Sequence, residues 1–362
     1  MLFYIGASVA NSIVAGDKDS IDCLMRLLDS RKRGLLLLYA SRQSVAKMSK
    51  YLLQNHYDHE NAILMSLAKK FIEKKSLIQE VSRFVYLTIY AKQISLKIER
   101  IILISPSVLN NTNMLYPPIL LGENLSDCDL YANAIAANFS DGLPRSLKNV
   151  RIFDRFEPGG GNSTHTSYRR HKNKNLDFCF CIVDSDRKCP EEDYGDTAKF
   201  VISVDKGGPS AVCHHMVIDM YSAENLIPIE ELDRQFKIGK SEVQIKEFDR
   251  TAAIHKMTSW RYLPLKKGLK GKDLKKNNAA AEFWKTEISK VKIQFPCCPE
   301  PECSCSFVPS ISDKTLVSAL VPENFSWSKG LHDESNSEIK SIYLKISQEL
   351  RSWLCIGSEI RT

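Results

Sequence analysis

Asp184-Ser185-Asp186 follows directly on six apolar residues, Phe178 to Val183. At the end of a strand this triplet sets two carboxylates on one side of an extended turn, where they can share a divalent cation; hard cations such as Mg2+ take oxygen ligands. The same three residues also suit an ordinary polar surface turn. Glu123 closes an earlier apolar run, Ile119-Leu120-Leu121-Gly122, and is followed by a stretch, Leu125 to Phe139, that reads as a helix with Asp127 near its N-terminus. In open α/β sheets functional groups gather where strands end. Clustered carboxylates holding Mg2+ or Mn2+ support phosphodiester hydrolysis, because the ion polarises the phosphate and lowers the pKa of a bound water. Asp184 and Asp186 are then expected metal ligands. Glu123 is either a third ligand or the base that takes the water proton, and both roles stay open.

The elements that must position these groups can be sketched from the apolar pattern. Between residues 113 and 240 short apolar runs alternate with polar stretches: Ile119-Leu121, Val150-Phe153, Phe178-Val183, Phe200-Val204 and His215-Ile218. Read as strands, they predict an α/β layer with a mainly parallel sheet flanked by helices. Residues 1 to 112 are rich in Leu, Ile, Lys and Ser with apolar positions at helical spacing, as in Ile21, Leu24, Leu27 and Leu28, which predicts an all-α N-terminal domain. The uncharged first sixteen residues are expected to form a buried helix, since they lack the basic start of a secretory signal. Residues 241 to 362 form a mixed, helical C-terminal region, with helices expected over Ala279–Val291 and around Ser337–Ile356.

Fifty Lys and Arg against 43 Asp and Glu leave a net charge of +7, which permits contact with polyphosphate without demonstrating it. Arg169, Arg170, His171, Lys172 and Lys174 form a local basic run that is either a solvated helix face or a guide for a nucleic-acid backbone. A second basic stretch runs from Lys266 to Lys276. The glycines at 159, 160 and 161 make a flexible turn that can approach a phosphate, although the sequence has no ATP-binding P-loop pattern there. Cys297, Cys298, Cys303 and Cys305 offer four thiols in a short span, a possible Zn2+ site or else free thiols in a loop. Cys179 and Cys181 read as inert packing residues, and His214 and His215 as structural. Eleven scattered cysteines, and no run of about 18 apolar residues, point to a cytoplasmic protein without a membrane span.

The order of these features, a glutamate after one strand, a strand–loop–helix unit, then Asp-x-Asp after another strand, resembles the Toprim fold over residues 115 to 235. The resemblance is to Toprim nucleases of phage-conflict systems, the branch that includes the overcoming-lysogenization-defect nucleases. Glu157-Pro158-Gly159-Gly160-Gly161-Asn162 stands where such proteins have a Gly-rich turn, and Tyr221-Ser222-Ala223-Glu224-Asn225-Leu226 resembles the Glu-Asn motif after the last core strand. Two positions depart from the pattern: glycine precedes Glu123 instead of following it, and Arg187, Lys188 and Cys189 stand where a glycine often follows Asp-x-Asp. The resemblance implies a metal-site role for Glu123, Asp184, Asp186 and Glu224. It implies a metal-dependent nuclease acting as an anti-phage or toxin-like effector, regulated by a partner such as an ATPase or reverse-transcriptase complex. The competing expectation is a non-catalytic Toprim-like binding or regulatory subunit of a nucleoprotein complex, and a third is a primase or strand-passage subunit.

Overall fold

The computed structural model describes residues 1–69, 71–136, 139, 141–148, 150–237, 250–291, 302–311 and 337–360. Its strands, in chain order, are β1 (Leu2–Ile5), β2 (Leu37–Ala40), β3 (Phe84–Leu87), β4 (Ser95–Lys97), β5 (Ile101–Ile104), β6 (Ile119–Gly122), β7 (Arg151–Ile152), β8 (Phe156–Pro158), β9 (Cys179–Val183), β10 (Cys213–Val217), β11 (Leu269–Lys270), β12 (Ser306–Val308) and β13 (Cys355–Ile356). The architecture is α/β, with a mixed sheet and a parallel sheet flanked by helices, compatible with a Rossmann-like arrangement.

The N-terminal region is not all-helical. It is built on a five-stranded sheet of order β2-β1-β3-β5-β4, parallel except for the edge strand β4, which runs antiparallel to β5. The helical spacing does mark real helices. Lys18–Lys32 buries Cys23, Leu24, Leu27 and Leu28, and is capped by Asp17, whose carboxylate accepts the Ser20 N–H at 2.9 Å. The strands escaped notice because each is three or four residues long and embedded among helices. LFYI at the start of the chain is β1, and only Ala7–Val14 after it is helix, so the uncharged first segment is a strand–helix unit and not one helix.

The second sheet has the order β10-β9-β6-β8 and is parallel throughout. All five residues of its central strand β9, Cys-Phe-Cys-Ile-Val, are buried, as a parallel strand covered on both faces requires. Each large apolar side chain so buried contributes roughly 1.5–3 kcal/mol. Cys179 and Cys181 are indeed packing residues in this strand.

Two of the expected strands are placed differently. Phe200-Val204 lies in the helix Asp196–Val204, which buries Thr197, Ala198 and Val201 at helical spacing and leaves Phe200 45% exposed. Val150-Phe153 supplies only β7, which pairs antiparallel with β13 outside the main sheet. The helices Ala279–Lys290 and Ser337–Trp353 form where the sequence indicates them.

A polar bridge ties the first sheet to the second. Arg83, buried just before β3, donates to the Ser210 carbonyl at 3.2 Å and to His214 Nδ1 of β10 at 3.3 Å. The guanidinium also lies over Trp353, 5.2 Å from the ring centre, so the C-terminal helix closes the same contact. No described helix is long and apolar enough to cross a membrane.

Candidate active site

The C-terminal ends of β6 and β9, together with the loop after β10, bring five carboxylates into electrostatic reach of one another: Glu123, Asp127, Asp184, Asp186 and Glu224. Asp184 is the centre. Its Oδ1 accepts the Tyr131 hydroxyl at 3.0 Å, its Oδ2 accepts the Ala223 N–H at 3.1 Å, and its own N–H reaches Glu123 Oε1 at 3.4 Å. Burial first, then the charges of Glu123, Asp127, Glu224 and Asp186, push the Asp184 carboxyl well above the ordinary range. Burial, Asp186 and Asp127 likewise push Glu123 up to about 7. Asp127 rises to about 6 through burial and Glu224. Asp186 also moves up through burial, although Lys267, Lys188 and Lys266 pull the other way.

Each carboxylate is aimed by local structure. Asp186 sits at φ 53°, a left-handed conformation uncommon for a non-glycine residue and often found at functional sites. Its side chain is flanked by Gly195, where a Cβ would come within 2.4 Å of the Asp186 Cβ; glycine is therefore needed there. Glu224 is presented by a turn held by Asn225. The Asn225 Oδ1 accepts the Ser222 N–H at 3.1 Å, and its Nδ2 donates to the carbonyls of Trp260 (2.9 Å) and Leu263 (3.0 Å). Within the Glu-Asn pair the asparagine thus builds the turn and the glutamate faces the cluster. Glu224 is 2% exposed, and its Oε2 has no hydrogen-bond partner among the described residues.

The glycine run has a different role from the one its composition suggests. Gly159 N–H donates to the Gly122 carbonyl at 2.7 Å, and Gly160 and Gly161 donate to the Glu123 carbonyl at 3.0 and 3.3 Å. These donors are spent on the strand end that carries Glu123 and are not offered to a phosphate. Gly160 and Gly161 take φ of 77° and 59°, which glycine adopts at no steric cost.

Two of the four basic residues expected to guide nucleic acid are tied down. Lys172 donates to Asp205 Oδ1 at 2.6 Å and to the carbonyls of Val204 and Gly208, and Arg170 pairs with Glu157 at 2.6 Å. Arg169 and Lys174 on the same helix, Thr164–Lys174, are exposed. His215 also donates to Asp205, at 2.6 Å, and so is structural as its sequence context suggests. Cys303 is buried and Cys305 half-buried; their carbonyls accept the N–H groups of Lys272 and Gly271, both at 2.8 Å. Cys297 and Cys298 lie outside the described residues, so the zinc expectation is not brought together here.

Three participants were not assigned from sequence. Asp127 stands out only as a residue near a helix start; its Oδ2 accepts the Asn124 N–H at 3.0 Å while its charge joins the cluster. Tyr131 lies one helical turn further on. Lys266 opens the second basic stretch and pairs with Glu224 Oε1 at 2.8 Å. Burial alone would lower its pKa, yet the Glu224 carboxylate outweighs this and raises it above the ordinary lysine value.

The donor set fits a divalent cation in charge and chemistry: hard oxygen atoms, mutual repulsion that a cation relieves, and a buried carboxylate oxygen without a partner. Among the described residues no three His, Cys, Asp or Glu side chains already close on one point as a finished metal cage. No family model matches the chain, and no curated protein and no solved structure is significantly similar to it.

Proposed function

We propose that the chain is a Mg2+- or Mn2+-dependent nuclease that hydrolyses nucleic-acid phosphodiester bonds on a Toprim-like domain. The supporting observation is the convergence of five carboxylates at strand ends of one parallel sheet, with Asp184 at their centre. Asp184, Asp186, Glu123, Glu224 and Asp127 would hold the ion. When bound, the ion would polarise the phosphate and lower the pKa of its water. Glu123, beside Asp184, is placed either to hold the ion or to take the proton of its water. Lys266 keeps positive charge beside the carboxylates, where a phosphate oxygen would otherwise meet only like charge. The role of an anti-phage or toxin-like effector working with an ATPase or reverse-transcriptase complex rests on the resemblance of motifs alone.

The Lys266–Glu224 ion pair, which already neutralises part of the cluster, favours a second reading, a binding or regulatory module in which the cluster has no catalytic duty. Incubating the full chain with plasmid DNA, single-stranded DNA and tRNA in Mg2+ or Mn2+ separates the two. Cleavage by the native chain that is lost in folded Glu123→Ala and Asp184→Ala variants supports the nuclease. Cleavage that persists in both variants sinks the site assignment, and no cleavage of any substrate favours the module.

A further inference from the structure

Next to Asp186 the structure forms a pocket of about 270 Å3 with Lys188, Glu192, Lys267, Asp273, Lys276 and Trp284 among its walls. It is below the roughly 300–1,000 Å3 of sites for drug-sized ligands, so it suits one small unit and not a dinucleotide cofactor. Local pairing builds it. β11 pairs antiparallel with β12, and Gly268 at φ 67° turns so tightly against β12 that a Cβ would lie 2.4 Å from the Val308 carbonyl oxygen.

The lining asks for an anion with an apolar body. Three lysines face two carboxylates, and both carboxylates already accept hydrogen bonds within the wall. Asp273 accepts Lys276 Nζ at 2.8 Å and the Lys270 N–H at 3.2 Å, and Glu192 accepts the Lys188 N–H at 3.0 Å. The twelve-residue helix Ala279–Lys290 begins at the pocket, with Asn278 and Ala280 in its wall, and the positive end of a helix dipole favours negative charge. An independent observation comes one turn further along. Trp284 is 2% exposed, and its indole N–H has no hydrogen-bond acceptor among the described residues. Its ring closes one side of the pocket and, with Pro264, Leu269 and Ala280, gives a ligand an apolar wall.

Position supplies the rest. Lys267 and Lys188 are the leading cationic neighbours of Asp186, so the pocket adjoins the carboxylate cluster. We propose that it is a subsite for one phosphate-bearing nucleotide unit beside the scissile bond, the lysines and helix end taking the phosphate and the apolar wall of Leu269, Ala280 and Trp284 packing against the base. Its identity as a substrate subsite rests on the nuclease reading; the nucleotide affinity does not.

The test is calorimetric titration of the full chain, in chelator, with deoxythymidine 5′-monophosphate, thymidine and inorganic phosphate in separate arms. The monophosphate is expected to bind more tightly than either fragment, and Lys276→Ala and Lys267→Ala each to weaken it about ten-fold. Both lysines are solvent-exposed, so both variants keep the fold. No monophosphate binding up to about 10 mM, equal binding in Lys276→Ala, or inorganic phosphate matching the nucleotide would overturn the proposal. Cleavage without nucleotide binding removes the subsite alone. Nucleotide binding without cleavage of any substrate removes the nuclease reading and keeps the pocket.

Discussion

The mixed N-terminal sheet and the parallel second sheet of this protein end in opposite kinds of chemistry. In the N-terminal sheet the residues just past the strands are hydroxyls that satisfy one another or their own helices. Ser8 Oγ lies 3.2 Å from Thr88 Oγ1, Ser41 Oγ accepts the Ser44 N–H at 3.1 Å, and Ser105 Oγ lies 3.2 Å from Ser107 Oγ. In the second sheet the equivalent ends carry carboxylates whose proximity is unfavourable without a cation. Both sheets offer the crevice that parallel topology creates. Only the second leaves charge that needs a partner, so topology supplies the place and electrostatics decides whether that place becomes a site.

Four measurements test this contrast. The largest effect is expected at its centre: Asp184→Asn should lower divalent-dependent cleavage roughly a thousand-fold. Because Asn is neutral without the proton that burial and its neighbours force on Asp184, the substitution should also raise the melting temperature of the metal-free protein by about 2–4 °C. A variant that loses activity and melts lower would mean that Asp184 serves the fold.

A second effect concerns the charge that the same sheet does satisfy. Burial alone would raise Asp205, but hydrogen bonds from His215, Lys172 and Tyr168 outweigh it and hold the carboxyl down at about 2. Asp205→Ala leaves those groups without their acceptor and should cost about 3 kcal/mol in denaturant unfolding. A loss below about 1 kcal/mol would place the network among weak surface pairs.

The third is a pH dependence. Glu123 rises from 4.5 to about 7 and Asp127 from 3.8 to about 6, so between those limits the folded state binds more protons than the unfolded chain. The contribution of these two groups to the stability of the metal-free protein should therefore be full below pH 3.8 and be lost as pH rises to about 7. Mg2+ should offset the fall by binding the ionised cluster. A flat profile with chelator, or no effect of Mg2+, would contradict the crowding of these groups.

The smallest effect belongs to the first sheet. Ser8→Ala should change stability by about 0.5–1.5 kcal/mol, the net worth of one hydrogen bond, and leave cleavage unchanged. A large loss of activity there would erase the distinction between the two crevices.

Much of the candidate site can be read from local sequence because strand ends have local signatures. A fully apolar run stopped by Asp-x-Asp places Asp184 and Asp186, and Gly122-Glu123 repeats the pattern at the end of β6, the neighbouring strand in the sheet. Phe200-Val204 misleads for the complementary reason. A five-residue apolar run suits a strand or a buried helix equally, and Gly195 with Asp196 starting the helix are the signals that distinguish them. The N-terminal strands were hidden in the same way, each a few residues long between longer helices.

The chain alone determined the strands Ile119–Gly122, Cys179–Val183 and Cys213–Val217, the carboxylates at two strand ends, and the packing role of Cys179 and Cys181. Tertiary structure decided what crosses long sequence separations. It brought Lys266 onto Glu224, turned the glycine donors onto the Glu123 carbonyl, and drew Lys172 into Asp205. Apolar patterning is set by neighbours a few residues away, whereas the partner a charge finds depends on which loops the folded sheets carry into the same volume.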